Sequence, residues 1–368
     1  MAKPKLALIP AAQGTKFYSV LPSDGSGDFT FTRGSVATRI NAQGLIENVA
    51  SGQSRLDYPM IDGVQKGCPH HILEPARTNL ILNSQKISLT PTKAGTFVDN
   101  FAISPDGTLN ATKLTATDVD PYFYQNISYS AVSYTASIYI KGIGNSVGKE
   151  FQIRLGTNIY TDVIPLEWTR FKYTVTMASG VTSAGLEIPN PAVVGDEVLV
   201  WGWQVEVGSY VTSYIPTSGT AVTRSAETAS GAGNSTTFND SEGVLMAEIS
   251  ALANDSTNRQ MTLSDGTNDN RLVLKYDNQS NIIQSFNRIS GVESAFLSAS
   301  VTDITLFSKC LVKYKVNDYQ LWINGFKLDT DTSASVWPTS TLNDLRINAG
   351  GGADFYGNVK QLQYFDSA

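Results

Sequence analysis

The sequence is poor in cysteine and in charge. Its 368 residues include two cysteines, Cys68 and Cys310, and charged residues make up 16%, against roughly 25% in ordinary soluble domains. So few cysteines exclude a disulfide framework, and we expect two unpaired and mostly buried thiols. Heptads of Glu, Lys and Leu are also missing, which excludes a coiled coil.

Long apolar runs and basic stripes are missing as well. No stretch approaches the ~20 apolar residues that cross a bilayer, so we expect no membrane insertion. The 27 Lys and Arg against 33 Asp and Glu give a net charge of −6, which argues against nucleic acid as a partner. The apolar run Leu6–Ile9 follows Lys3 and Lys5, but Pro10 ends it too early for a signal peptide. The sequence therefore predicts synthesis in a cytoplasm without secretion.

Aromatic and small polar residues are plentiful. The chain has 30 Gly, 16 Tyr, 15 Phe and 5 Trp, and 41% of its residues are hydrophobic. This mix favours strands and turns over surface helices, and it excludes a fully disordered chain. At about 150 residues per domain, the length predicts two to three domains.

Two-residue alternation of apolar and polar side chains marks several strands. Three segments show it clearly: Tyr134–Ile140, Phe151–Leu155 and Phe171–Met177. Such alternation is typical of half-buried antiparallel strands. From Leu199 to Val207 the same pattern places every second residue, including Trp201 and Trp203, on one face that we expect to be core.

Turn and linker signals divide these strands. Asn324-Gly325 between alternating segments is a strong hairpin signal, because both turn residues need positive φ, and Asn317-Asp318 predicts the preceding turn. The composition of Ala229–Thr237, rich in Ser, Gly, Thr and Asn, predicts a flexible linker.

Together these patterns predict an all-β chain, with an extended N-terminal arm followed by two antiparallel β-sandwich (jelly-roll) domains. The predicted boundaries are an arm over 1–85, a first sandwich over 86–228, the linker over 229–237 and a second sandwich over 238–368. The arm is assigned on its short apolar runs broken by Gly and Pro, which give it little core of its own.

A series of motifs carries a family resemblance. In order they are Asp28–Arg39, Gly44–Glu47, Arg55–Tyr58, Cys68-Pro69, Leu73–Leu80, Ser104–Thr108, Trp201–Glu206 and Thr212–Thr217. The series resembles a family of bacteriophage and prophage virion proteins, in which a lead segment precedes a jelly roll similar to carbohydrate-binding modules. A concanavalin/laminin-G-like sandwich often follows there, and Leu321–Gly325 and Phe355–Val359 look like its two ends.

The resemblance implies a virion structural protein made in the host cytoplasm. It implies a homotrimeric fibre, spike or head appendage, and the absence of a long repetitive shaft favours a short fibre or a head appendage. We expect residues 1–85 to attach to other virion proteins and the outer sandwiches to adhere to host-surface or environmental glycans. Catalysis is not expected, and two alternatives stay open: a glycan depolymerase and a bacterial lectin or adhesin.

Candidates for catalysis and for a transition metal are weak. Cys68 lies near His70 and His71, but adjacent residues of a strand point in opposite directions and no second cluster is near in sequence, so zinc is disfavoured. A Ser/His/Asp triad lacks its nucleophile motif. The acids that could cut glycans have no distinguishing neighbours: Glu187, Glu206, Glu248 and Asp303.

Calcium is the one cofactor that the sequence offers. Asp265, Asn268 and Asp269 supply several hard oxygens within one short loop, which is the ligand type that calcium prefers. Turn chemistry explains the same residues equally well.

Glycan binding is predicted for aromatic residues, because sugar faces stack on flat rings while nearby polar groups fix their orientation. The candidates are Trp322, Gln320, Asn324, Trp337, Tyr122 and Tyr124. Trp322 shares a strand face with Gln320 and Asn324, so we expect it to be exposed or packed against a sister subunit.

Overall fold

A computed structural model describes residues 3–10, 19–61, 64–65, 67–117, 121–188, 191–348 and 353–368. The chain forms two compact units, each built from separate stretches. The first unit comprises 1–34, 49–75 and 226–368, and the second unit comprises 35–48 and 76–225.

The strands follow one another in chain order. They are β1 Leu6–Leu8, β2 Ser19–Leu21, β3 Thr30–Thr32, β4 Ala37–Ile40, β5 Ile46–Val49, β6 Arg55–Asp57, β7 Met60–Ile61, β8 Val64–Gln65, β9 His70–Leu73, β10 Arg77–Asn79, β11 Thr92–Ala94, β12 Thr96–Ile103, β13 Leu109–Thr115, β14 Tyr122–Tyr129, β15 Ser133–Ile143, β16 Glu150–Leu155, β17 Asn158–Val163, β18 Thr169–Thr176, β19 Gly180–Glu187, β20 Glu197–Val207, β21 Val222–Arg224, β22 Thr228–Ser230, β23 Glu242–Ala251, β24 Arg259–Ser264, β25 Arg271–Tyr276, β26 Ile282–Ile289, β27 Val292–Ser300, β28 Ser308–Lys315, β29 Tyr319–Ile323, β30 Phe326–Asp331, β31 Asp344–Arg346 and β32 Gly357–Phe365. Single 3₁₀ turns lie at Ile87–Leu89 and Gly144–Ser146.

The first unit is a sandwich of two antiparallel sheets. One sheet runs β2-β1-β32-β23-β28-β29-β30, with β9 pairing both β32 and β6. The other runs β27-β26-β25-β24-β31. Apolar side chains from both sheets join one buried cluster, for example Leu245 and Val312 from the first sheet and Leu263 and Leu272 from the second. Burial of this shared cluster holds the two sheets face to face.

The second unit is also an antiparallel sandwich. Its sheets run β11-β14-β19-β16-β17 and β12-β13-β20-β15-β18. Phe123 and Leu186 from one sheet meet Ile138, Val200 and Trp203 from the other in a single buried cluster. The chain passes repeatedly from one sheet to the other, as jelly-roll sandwiches do. The prediction of an all-β fold with two antiparallel sandwiches is therefore confirmed.

The predicted boundaries need correction, because residues 1–85 do not form a body of their own. β1 pairs β32, and β9 pairs β32 and β6, so these short strands complete a sheet of the first unit. Residues 35–48 and 76–85 belong to the second unit. Short apolar runs between glycines look core-poor in sequence, but Leu6, Leu8 and Leu73 are fully buried in the core of the first unit.

The predicted linker over 229–237 also needs correction. Its first residues extend β22, which pairs β3, and Ala229 and Ala232 are fully buried. The backbone of Ala232 exchanges hydrogen bonds with that of Leu345. Small residues occur here because the backbone lies against a strand of the sandwich, and not because the segment is flexible.

A bulge corrects the predicted face of β20. Ser137 pairs Gln204 while Tyr139 pairs Trp201, so β20 carries one extra residue, and Gly202 has φ +68°. The extra residue reverses which positions of β20 face the core on its two sides. Trp203 consequently packs in the core between the sheets, whereas Trp201 lies on the opposite face with Tyr214.

The two turns predicted around β29 are present in the structure. Asn324 and Gly325 have φ +52° and +88° between β29 and β30, and Asn317 has φ +57° in the turn before β29, which confirms both turns.

The two cysteines differ in their exposure. Cys310 is a buried free thiol as expected, and burial raises its pKa to about 12. Cys68 is free but exposed, contrary to the expected burial.

A buried ionic cluster joins distant segments of the first unit. Its members are Arg33, Arg55, Glu74 and Glu227, and each is at most 4% exposed. Glu227 accepts from Arg33 Nη1 at 2.6 Å and from Arg55 Nε at 2.9 Å, and Arg55 Nη2 donates to Glu74 at 2.8 Å. Burial alone would lower the pKa of Arg55, but the two carboxylates outweigh it and raise that pKa.

Candidate functional site

The outer face of the β11-β14-β19-β16-β17 sheet carries the best-formed candidate site. Phe123, Gln125 and Ile127 of β14 point toward the core, so Tyr122 and Tyr124 lie on the opposite, solvent-facing side and are half-buried. Their rings are stacked with centroids 4.7 Å apart and planes 17° apart. Alternation along one strand is what places both rings on one side, next to each other.

The lack of a side chain at Gly185 leaves room for the ring of Tyr124. The register pairs Tyr124 with Gly185 on β19. A Cβ atom at Gly185 would lie 1.9 Å from Cδ1 of Tyr124 and 2.5 Å from the carbonyl oxygen of Phe123. Any larger residue would therefore displace the ring, so the absence of a side chain lets the ring lie across the neighbouring strand.

Polar side chains border the two rings on the same face. Tyr122 pairs with Glu187, which pairs in turn with Gln152 of β16. Arg154 donates from Nη2 to Glu187 at 2.7 Å and to Oε1 of Gln152 at 2.6 Å. The Arg154 and Glu187 side chains are 30% and 10% exposed, so solvent reaches the guanidinium more than the carboxylate.

We call the set Tyr122, Tyr124, Gln152, Arg154 and Glu187 the tyrosine platform. It combines two parallel aromatic rings with an amide, a guanidinium and a carboxylate held in fixed relation. Aromatic rings of this kind stack against the apolar C–H face of a ligand, and the bordering groups offer both hydrogen-bond donors and acceptors. The sequence indicated the two tyrosines. Gln152, Arg154 and Glu187 were not predicted as partners, because the strand register alone brings them together; the strict alternation of Phe151–Leu155 was the available signal.

Trp322, expected to be exposed or packed against a sister subunit, is half-buried on the outer face of the β28-β29-β30 region, and Tyr319, Leu321 and Ile323 are buried beneath it. Its Nε1 donates to Gln320 Oε1 at 2.8 Å, and the amide of Gln320 donates to Asp318. Trp322 therefore lies on the strand face opposite the core, and its role in glycan binding stays a prediction.

Two of the predicted glycan-binding residues have other contacts. Trp337 is 3% exposed, packs on Tyr314 and donates from Nε1 to the carbonyl of Arg288 at 2.7 Å, so it is a core residue and the prediction of a binding role is corrected. Asn324 is exposed in the hairpin, where Oδ1 accepts from the backbone of Lys309. Its conformation serves the turn.

The loop predicted for calcium is organised by its own hydrogen bonds. Oδ1 of Asp265 accepts from the backbone and hydroxyl of Thr267, and Oδ2 accepts from Asn270. Burial raises the pKa of Asp265 less than these bonds lower it, so the net shift is downward. Asn268 Oδ1 accepts from Arg271 at 2.7 Å, which places a cationic side chain where a calcium ligand was expected. The turn interpretation of Asp265, Asn268 and Asp269 accounts for these contacts.

Three of the acidic side chains considered for glycan cleavage are held by hydrogen bonds. Glu206 is buried and accepts from Thr212, Asp303 accepts from Thr305 in its own turn, and Glu248 accepts from Gln361. Within the described ranges, no group of three or more His, Cys, Asp or Glu is placed to hold a metal ion. No helix among the same residues is long and apolar enough to span a membrane.

Comparisons with known proteins give little further guidance. No family model matches the chain, and no curated protein does. A solved structure titled "Apo Crh5 transglycosylase" is 13% identical, with a TM-score of 0.25 over 39% of this chain and 68% of that one. The structure titled "Mouse laminin alpha1 chain, domains LG4-5" is 9% identical, with a TM-score of 0.28 over 76% of this chain and 93% of that one. Likenesses this distant support no conclusion about function.

Proposed function

We propose that the chain is a glycan-adhesion protein and that the tyrosine platform is its binding surface. The observation that carries this is the pair of stacked rings on a solvent-facing sheet, bordered by the hydrogen-bonded Arg154, Glu187 and Gln152. Stacking supplies affinity for the apolar face of a sugar ring. The bordering donors and acceptors orient its hydroxyl groups.

Removing either ring is expected to abolish most of the binding. We expect Tyr124→Ala and Tyr122→Ala each to weaken binding by about tenfold or more, because each deletes one stacking surface. A glycan array would identify the strongest ligand, and calorimetric titration would then measure its affinity for each variant. The matched control is Phe101→Ala, since Phe101 is an exposed aromatic on β12 of the other sheet in the same unit.

Two outcomes would contradict the platform. One is binding by Tyr124→Ala that equals wild type while Phe101→Ala weakens it. The other is the appearance of new reducing ends during incubation with the bound glycan, which would favour the depolymerase alternative.

The virion role is a second, finer part of the proposal. The ordered series of motifs from Asp28–Arg39 to Thr212–Thr217 supports it. On this proposal the protein is a homotrimeric fibre, spike or head appendage, and residues 1–85 contribute the attachment surface as folded strands and not as a free arm.

The virion role can be tested on purified phage particles. We expect mass spectrometry to detect the chain in the particles, and light scattering of the isolated protein to give three times the chain mass of 39.7 kDa. Absence from particles would favour the alternative of a bacterial lectin or adhesin. A stable monomer would contradict the trimer.

A further inference from the structure

The outer face of the β27-β26-β25-β24-β31 sheet, in the first unit, carries two arginines side by side. Leu272 and Leu274 of β25 join the core of the sandwich, so Arg271 on the same strand faces outward. The register pairs Arg271 directly with Arg288 of β26. Like charges directly opposite each other on neighbouring strands destabilise a sheet, so this arrangement costs stability in the free protein. We call Arg271 and Arg288 the arginine pair.

One aromatic ring lies between the two guanidinium groups. The ring centroid of Phe286 is 5.6 Å from Cζ of Arg271 and 5.9 Å from Cζ of Arg288. These cation–π contacts hold both cations close to the sheet. Phe296 of β27 pairs with Phe286, lies on the same face and is 45% exposed. The face therefore presents two fixed cations beside a half-exposed aromatic ring.

Arg288 is the member of the arginine pair that is open to a ligand. It is half-buried, and its Nη1 and Nη2 groups reach solvent with no hydrogen-bond acceptor and no ion pair among the residues that the structure describes. Arg271 is more buried, and its Nη1 donates to Asn268 Oδ1 at 2.7 Å, so it contributes mainly its charge. Burial, and then the charge of Arg288, lower the pKa of Arg271, while Asp269 opposes this.

Two acids lie near the arginine pair without contacting it. Glu293 is opposite Arg288 in the register, and Asp269 lies in the loop before β25. Both are exposed to solvent, which screens their charge, and neither forms an ion pair with Arg271 or Arg288 in the described ranges. The third arginine of this face, Arg346, is bonded to Asp344 of its own strand.

An anion with two oxygens matches the planar fork of a guanidinium, which can donate two parallel hydrogen bonds to it. An anion at this position also offsets the repulsion between Arg271 and Arg288. Phe296 and Arg288 are diagonal neighbours on adjacent strands, about 7–8 Å apart, a distance that one sugar ring and its charged substituent can span. The exposed ring of Phe296 then contacts the apolar face of that sugar.

We propose that the arginine pair binds the carboxylate or sulfate group of an acidic glycan, in a site separate from the tyrosine platform. Arg288 donates to the anionic group, Arg271 adds a second positive charge, and Phe296 contacts the sugar ring. This gives the first unit a binding site of its own, with an anionic ligand.

The test follows backbone amide resonances of β25 and β26 in the ¹⁵N-labelled full chain. The probes are sodium D-glucuronate, D-glucose 6-sulfate, D-glucose and sodium acetate at millimolar concentration and constant ionic strength. We expect D-glucuronate or D-glucose 6-sulfate to shift these resonances saturably, and D-glucose and acetate each to bind at least about tenfold more weakly, because each lacks one half of the ligand.

Variants of Arg288 measure its part in binding. Arg288→Gln should weaken binding of the acidic sugar by about tenfold, because it removes a charged donor. Arg288→Lys keeps the charge without the planar fork, so it should weaken binding less. Lys309→Gln is the matched control, since it removes the same charge from an exposed position on β28, in the other sheet of this unit, and should leave binding unchanged.

Saturable binding of either acidic sugar supports the proposal, and the tighter of the two identifies the anionic group. The absence of a saturable shift with both overturns it. Equal binding of D-glucose overturns the anion assignment, and equal binding of acetate overturns the contact with a sugar ring. A shift that persists in Tyr124→Ala supports a separate site even if the tyrosine platform binds nothing, whereas its loss in Tyr124→Ala overturns that separation.

Discussion

Arg55→Ala is expected to lower the free energy of unfolding of the first unit by about 3–5 kcal/mol, the cost of breaking a buried ion pair from one side. Arg55 is fully buried and bonds to both Glu74 and Glu227. Removing its guanidinium leaves Glu74 without this partner and leaves Glu227 with Arg33 as its remaining cation in the cluster. An uncompensated carboxylate in a dry interior is far less stable than the same group in water.

Urea unfolding followed by circular dichroism would measure the change, and hydrogen exchange would assign it to the first unit. Lys315→Ala is the matched control, because Lys315 pairs with Glu242 at 2.8 Å on the surface of the same unit, with half of its side chain exposed. Surface pairs of this kind contribute about 0–1 kcal/mol. If Arg55→Ala were no more destabilising than Lys315→Ala, the cluster would not hold these segments together.

The same cluster shows what the sequence could not indicate. Arg33, Glu74 and Glu227 lie in turns or next to short strands, and their sequence neighbours give no sign of burial. Their burial depends on contacts between residues 172 and 194 positions apart in sequence. Hydrophobic periodicity is a property of windows of about 11–18 residues, so for residues 1–85 it predicts an arm with little core of its own.

The strands themselves could be predicted, because alternation is a local property of one segment. Tyr134–Ile140 and Phe151–Leu155 lie within β15 and β16 of the second unit, and Phe171–Met177 lies in β18 except for Met177, which follows its last residue. The alternation failed at Gly202, where a single positive φ shifts the phase of β20. A glycine between two tryptophans is compatible with either arrangement, and only pairing with β15 decides between them.

The candidate site was predictable to the same limited extent. Tyr122 and Tyr124 share a face because they are two residues apart in a strand. Arg154 and Glu187 join them through the order β14-β19-β16, which no local pattern reveals. The sequence therefore predicts the two stacked rings, whereas the polar side chains beside them follow only from the order of the strands in the sheet.

Acid is expected to destabilise the first unit between pH 7 and pH 5, with a loss of about 2 kcal/mol attributable to His70. Burial, and then the charge of Lys360, lower the pKa of His70 to about 4, although a hydrogen bond to the side chain of Asn358 opposes this. Asp57 lies 3.9 Å from Nε2 and would favour the charged form. Burial outweighs that attraction, because the imidazole is only 9% exposed.

The sign of the effect follows from proton binding. An unfolded histidine has a pKa near 6.5, so below that pH the unfolded chain takes up a proton that folded His70 does not bind. The contribution to stability is intact above pH 6.5 and is lost as the pH falls toward 4. Burial, followed by Arg55, His70 and Arg33, also lowers the pKa of His71 well below the ordinary value, so His71 adds to the loss in the same direction.

Unfolding free energies measured in urea at pH 7, 6, 5.5 and 5 would give the slope. His70→Gln should reduce the slope in this window, whatever it does to the stability at pH 7, because glutamine binds no proton. The chain has two histidines, and carboxylates in the unfolded chain titrate mostly below pH 5, so the window isolates the imidazoles. A slope that is unchanged in His70→Gln would show that His70 binds its proton equally well in the folded and the unfolded chain. In that case Asp57 would dominate over burial.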